Sequence, residues 1–252
     1  MTTDIMHVVG ERFLLSMSKL LGLLLVKHVN LLGVEELGTA LQQHINTLRS
    51  RGFEPRVVYV DPHKTLVSLQ GRYPGIEIDP AGAGDHLNDI DTKIRRLKEL
   101  MRSVIVGLPY PLAKEQVKDS AVYAVSRSNL KASIGLESMV CPRVCFTGYK
   151  WDYKTELCLA FGDYVEAYDP KSKDRSNDVM VARSELCVAL YPSANRNGSW
   201  IFYNLTSKSY VRRSQWRKSP TMQYVIDAMR SLAGERVVEL IDLGGADAED
   251  TN

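Results

Sequence analysis

The order of apolar runs over the first 80 residues constrains the fold more than any other feature. Residues 4–9, 12–17 and 21–29 are three runs rich in Val, Leu and Phe, separated only by short polar turns. None has a capped helix's length, so they predict three successive strands. The period then changes. Val34, Leu37, Leu41, Ile45 and Leu48 recur at three- and four-residue steps, predicting a helix over 33–51 that Gly52 stops. Residues 56–60 predict a buried fourth strand, 64–70 a short helix and 75–78 a fifth strand. Three strands in series, then helix–strand–helix–strand, predict a mixed sheet with helices packed on it.

The loop Pro80-Ala81-Gly82-Ala83-Gly84 lacks the further glycine of a dinucleotide fingerprint and reads as a flexible connection. Residues 89–106 predict a helix, with Asn88 or Asp89 as cap and Ile94, Leu97, Met101, Val104 and Ile105 on its apolar face. Asp91, Arg95, Lys98 and Arg102 share the opposite stripe. A second amphipathic helix is expected over 112–129, facing inward through Val117, Ala121 and Val125. Residues 131–154 show no clear period. Beyond them, runs at 157–168, 185–191, 200–205 and 209–216, separated by polar loops, predict a small β-barrel, closed by a helix over 222–232. From Glu235 the tail carries six acids against one arginine, a composition that predicts disorder. The expected division is a core over 1–132, a linker over 133–153, a barrel with its helix over 154–233 and an acidic tail over 234–252.

Composition narrows the function classes. A net charge of +2 over 252 residues supplies no global field, so affinity for nucleic acid has to come from local basic clusters. The most apolar window, residues 13–26, is broken by Ser16, Ser18 and Lys19, too short and polar for a membrane span and unlike a signal peptide. An intracellular protein without a membrane partner is expected. Cys141, Cys145, Cys158 and Cys187 lack metal-ligand pair spacing and read as reduced structural thiols. Two Asn-x-Ser/Thr matches, at Asn197 and Asn204, then carry no glycan. The five histidines do not cluster and read as surface or satisfied imidazoles; His63 and His86 flank two of the acids discussed next.

Asp4 opens the first apolar run, Asp61 ends the fourth, and Asp91 begins the basic helix. Two strand carboxylates and one helix carboxylate are what a fold needs to hold two Mg²⁺ ions, roughly 3.5–4 Å apart, against a phosphodiester. The bland alternative is two turn aspartates and a first-turn helix acid. Lys93, Arg95, Arg96, Lys98 and Arg102 put five cations within ten residues beside that candidate site, positioned for phosphates or simply solvated. A second basic set, Lys208, Arg212, Arg213, Arg217 and Lys218, is interleaved with Tyr210 and Trp216. Such a mixture suits backbone tracking and base stacking, or edge protection.

With these elements in place, the chain resembles the integrase part of a copia-type retrotransposon polyprotein. The core resemblance runs from Asp4 to Asn129. The barrel resemblance runs from Cys141-Pro142 to about Ala233, through Phe161-Gly162-Asp163-Tyr164-Val165, Gly198-Ser199-Trp200 and Val211-Arg212-Arg213. The resemblance implies a ribonuclease H-like core, a mixed five-stranded sheet with flanking helices, followed by a small all-β barrel. It implies a two-metal Mg²⁺ or Mn²⁺ site on Asp4, Asp61 and Asp91 that trims element DNA ends and joins them to target DNA. It also implies a homo-oligomer on DNA and work in the nucleus or a virus-like particle. Three departures accompany it. Asp91 stands where the family has glutamate, Pro62-His63 follows Asp61 where the family often has Asn-Gly, and the amino-terminal His/His/Cys/Cys zinc module has no counterpart in this sequence. These departures predict weakened activity in a fragment, or a decayed or co-opted copy. The alternative is a non-catalytic nucleic-acid-binding relic.

Overall fold

The computed structural model describes residues 1–61, 63–81, 88–131, 140–150, 152–169, 183–193, 195 and 197–234. The predicted acidic tail beyond Gly234, most of the glycine loop after Ala81 and much of the expected linker lie outside the described residues. The chain divides into two units, each described by itself. The first comprises Met1–Arg102 and Arg127–Lys150; the second comprises Ser103–Ser126 and residues 152–234. The division thus falls elsewhere than at 132, because the second amphipathic helix belongs with the later strands and residues 140–150 with the earlier ones.

In the first unit, β1 (Thr2–Val8), β2 (Glu11–Ser18) and β3 (Leu23–Val29) form an antiparallel meander. The β1–β2 turn has positive φ at both Val9 and Gly10, the geometry that matches strand twist in a two-residue hairpin. Helix α1 (Val34–Arg49) leads to β4 (Val57–Val60), α2 (Lys64–Val67) and β5 (Glu77–Pro80). The sheet order is β3-β2-β1-β4-β5, with β4 parallel to both β1 and β5. The sequence-expected mixed sheet is therefore present, although β5 begins two residues later than expected.

One face of this sheet is buried under α1. Leu37, Ala40, Leu41 and Ile45 pack with Leu14, Val58, Val60 and Ile78, and Leu66 and Leu69 around α2 join the same cluster. Val34, expected in the stripe, is 38% exposed, because it begins the helix ahead of the first turn over the sheet. Glu36 reaches back to accept Asn30 N–H at 2.6 Å and Leu31 N–H at 2.9 Å, anchoring the start of α1. The outer edge of β3 is tied at Leu24, whose N–H and C=O both bond the Asn129 side-chain amide at 2.8 Å. An amide standing in for a neighbouring strand blocks that stretch of edge.

A buried polar chain crosses the same interface: Thr3 Oγ1 lies 2.9 Å from Ser16 Oγ, which lies 2.8 Å from His44 Nδ1 on α1. Burial pushes His44 down to about 4, against a smaller opposite pull from the Val26 carbonyl. A depressed imidazole stays neutral in the fold, so protonation favours unfolding. Stability of this unit is expected to fall as pH drops from about 6.5 towards 4, by on the order of 3 kcal/mol in full. Ser16→Ala, which removes the partner of Nδ1, is expected to cost about 1–3 kcal/mol at neutral pH. Urea unfolding at pH 7.5 and pH 5.5 (about one unit either side of the ordinary imidazole value) checks both.

The long helix α3 (Asn88–Val106) follows, and the division between units falls within it at Arg102. In the second unit a 3₁₀ turn over Lys114–Gln116 starts the second amphipathic helix, α4 (Val117–Ser128). Within the expected linker, α5 (Pro142–Thr147) belongs to the first unit; α6 (Tyr153–Glu156), which starts at the linker's last residue, belongs to the second. Strands β6 (Tyr164–Tyr168), β7 (Ser184–Pro192), β8 (Trp200–Asn204), β9 (Ser209–Arg213) and β10 (Trp216–Lys218) precede α7 (Gln223–Ala233). They form an all-antiparallel sheet in the order β10-β6-β7-β8-β9.

The strands expected to make a barrel form a five-stranded antiparallel sheet. Among the described residues no pairing links β9 to β10, which occupy its two edges. The run expected over 209–216 is two strands, because Ser214-Gln215 carries the chain from pairing with β8 to pairing with β6. The strand expected from 157 begins only at Tyr164, since Phe161-Gly162 forms a turn. Trp200 and Phe202 are buried, with Phe202 5.6 Å from the Trp216 ring.

Candidate nucleic-acid and metal site

Parallel pairing of β1 with β4 matches Thr2 to Tyr59 and Thr3 to Val60. Continuing that register one residue sets Asp4 beside Asp61. Both acids lie on the sheet face away from α1. Val58 and Val60 belong to the α1 cluster and Ile5 packs against it, so strand alternation turns Tyr59, Asp61 and Asp4 the other way. Neighbouring strands are about 4.8 Å apart, close enough for two carboxylates to share one cation. Both residues are half-buried.

This pair occupies a particular place in the sheet. Pairing between β1 and β4 ends at Val60, while β1 continues to Val8. The chain turns away after Asp61, with His63 N–H donating to Asp61 C=O at 2.6 Å before α2 begins. Asp4 Oδ1 accepts Ile5 N–H at 2.6 Å at that departure point. From β1 the strands run out through β2 and β3 on one side and lie as β4 and β5 on the other. The carboxyl ends of strands that diverge in this way are where open α/β sheets place ligands.

The third acid comes from a helix. Asp91 is on the first turn of α3 and exposed. Among the described residues no three His, Cys, Asp or Glu side chains form a group placed to hold a metal ion. Hard carboxylate oxygens suit Mg²⁺ or Mn²⁺, and the Asp4–Asp61 adjacency fits one shared ion. One further acid shares the face. Asp79 on β5 pairs with Tyr59, so it points the same way as Asp61, two residues short of it. Nothing in the local sequence marks Asp79, because its position depends on a register between strands about twenty residues apart.

Helix α3 is amphipathic as expected. Ile90, Leu97, Met101 and Ile105 are buried, Arg95 and Arg96 are exposed, and Lys93, Lys98 and Arg102 are half-buried. No protein-family model matches this chain. A search of curated proteins gives no match either. The weight of a functional reading therefore falls on the geometry.

The second basic set is divided by the structure. Lys208, at the β8–β9 turn, is exposed with positive φ, and Arg212 and Arg217 are exposed. Arg213 is committed elsewhere: its guanidinium holds Glu185 at 2.6 and 2.9 Å and approaches Asp169 at 3.9 Å. A half-buried, doubly bonded arginine is tied into its own sheet. Lys218 likewise pairs with Asp163 at 2.6 Å. Tyr210 donates its hydroxyl to Asp119 at 2.8 Å, while the residue stays 45% exposed.

None of the four cysteines is in a disulfide; Cys141 and Cys187 are buried, and burial pushes Cys187 up to about 12. Among the described residues no helix is long and apolar enough to cross a membrane.

Proposed function

We propose that the chain is a retrotransposon-derived integrase core of ribonuclease H-like type, a polynucleotidyl transferase acting on DNA ends with Mg²⁺ or Mn²⁺. The observation that carries this reading is the placement of Asp4 and Asp61 side by side on one face, where parallel β1 and β4 diverge. The strand order, with a three-stranded meander continued by two parallel strands, supports it. Asp4 and Asp61 would hold the metal, and Asp91 would complete the set from α3. The bound ions would activate the attacking water or 3′-hydroxyl and stabilise the leaving oxygen. Arg95 and Arg96, exposed on the same helix as Asp91, would bind phosphates flanking the scissile bond. The natural partners are element-end and target DNA, with copies of the chain assembled on them in the nucleus or a particle.

The direct test incubates pure protein with labelled element-end DNA and Mn²⁺. End trimming or strand transfer above an Asp61→Asn control is the expected result; none above that control overturns catalysis. A second reading, a non-catalytic nucleic-acid-binding module, is favoured by the lack of a three-acid group around Asp91 among the described residues. It predicts binding without chemistry. If Arg95 and Arg96 each contact a phosphate, the Arg95→Ala/Arg96→Ala variant should reduce the slope of log K against log salt by about 2. An unchanged slope removes α3 from the interface.

A further inference from the structure

The second unit holds a cluster that the proposed chemistry does not use. Asp119 on α4 is 4% exposed, and its carboxylate accepts a hydrogen bond from the Tyr210 hydroxyl at 2.8 Å. Buried carboxylates are normally paired with a cation. Among the described residues no Lys, Arg or His forms an ion pair with Asp119. Burial pushes its carboxyl up to about 6, against the Tyr210 hydrogen bond. Gln116, three residues earlier and on the same side of the helical segment, is 2% exposed, and neither its Oε1 nor its Nε2 has a partner. An unpartnered buried amide one helical turn from a buried carboxylate that lacks a cation is a polar combination that a guest could satisfy.

The opposing wall is aromatic. Tyr203 and Tyr210 pair across β8 and β9, and Tyr191 pairs with Ile201 on the same face. The Tyr203 and Tyr210 rings stand at 80° with centroids 5.9 Å apart, two sides of a corner. The hydroxyls of Tyr191 and Tyr210 are pushed up by burial and then by the Asp119 charge. Tyr210 is 45% exposed, so the cluster reaches solvent on the β9 side.

We propose that Asp119, Gln116 and the wall of Tyr191, Tyr203 and Tyr210 form a subsite for an alkylammonium cation, the methylated side chain of a lysine on a partner peptide. The carboxylate supplies the countercharge and accepts the remaining N–H, and the Gln116 amide oxygen offers a second acceptor. The ring faces attract the polarised N-methyl groups. Acetylation removes the charge, and a quaternary ammonium without an N–H forgoes the hydrogen bond to Asp119.

The test is an NMR titration of the full chain with a peptide carrying one dimethyllysine, its acetyl-lysine counterpart, and choline. Saturable binding of the dimethyllysine peptide is expected, with shifts centred on Tyr191, Tyr203 and Tyr210 and at least about tenfold weaker binding of the acetylated peptide. Asp119→Asn is expected to weaken dimethyllysine binding by at least about tenfold. Its melting temperature should be no lower than that of the parent, since the change removes a buried charge while retaining an acceptor for Tyr210. Equal affinity for the acetylated peptide, or no saturation at millimolar peptide, overturns the site. Saturation by choline alone overturns the lysine assignment.

Discussion

Lengthening Asp91 to glutamate is expected to raise Mn²⁺-dependent strand transfer by about tenfold or more, with Asp61→Asn returning both parent and variant to background. The argument rests on how each acid is held. Asp4 lies within β1 and Asp61 directly follows β4, one residue beyond the stretch where the two strands pair. Asp91 is exposed on the opening turn of a helix and belongs to no three-acid group among the described residues. One methylene adds about 1.5 Å of reach, whereas such constellations tolerate about 0.5 Å of misplacement. Mg²⁺ demands near-octahedral geometry, so the parent should be most impaired with that ion. Parallel assays of the parent, Asp91→Glu and Asp91→Asn on one labelled substrate check this. Equal activity in all three, with Asp61→Asn still dead, would remove Asp91 from the reaction while leaving the strand pair in it.

The features that were legible in the sequence are those encoded locally. Strand and helix periods differ enough over residues 4–51 that the meander and α1 follow from spacing alone, and α3 was legible for the same reason. Register was not legible. Whether Asp4 lies beside Asp61 depends on which residues of β1 and β4 pair, and no residue of either strand announces its partner. The same limit hid Asp79, and it made Arg213 look like part of a basic patch, because Glu185 lies 28 residues away in sequence and adjacent in the fold. An amphipathic stripe shows that α4 buries a face without showing against what. Its anchors, Tyr123 against Phe161 at 5.7 Å and Tyr210 to Asp119, both come from across the second unit. Periodicity also missed the break at Ser214-Gln215, since each half of that run reads as strand and only the change of partner separates them.

Gly162→Ala is expected to destabilise the second unit by about 3 kcal/mol, the sum of a backbone and a packing cost. Gly162 has φ +86, where a side chain is strained, and an added Cβ would sit 2.2 Å from Leu108 Cδ2 and 3.0 Å from the Tyr110 hydroxyl. The turn cannot easily shift to relieve this. Gly162 N–H donates to Ala189 C=O and Ala189 N–H to Asp163 C=O, both at 2.8 Å, while Gly162 C=O accepts the Tyr110 hydroxyl at 2.9 Å. Leu108 is only half-buried, so part of the packing cost can be relieved by moving or trimming it. In a double-mutant cycle with Leu108→Ala, the two changes should therefore cost about 1 kcal/mol less together than their separate costs imply. The backbone cost at Gly162 should remain. Urea unfolding followed by tryptophan fluorescence, with Trp200 and Trp216 both in this unit, reads all four corners of the cycle. A Gly162→Ala midpoint equal to the parent's would mean that the turn does not wedge the 103–126 segment against the sheet. A full loss with no coupling to Leu108 would assign the whole cost to φ alone.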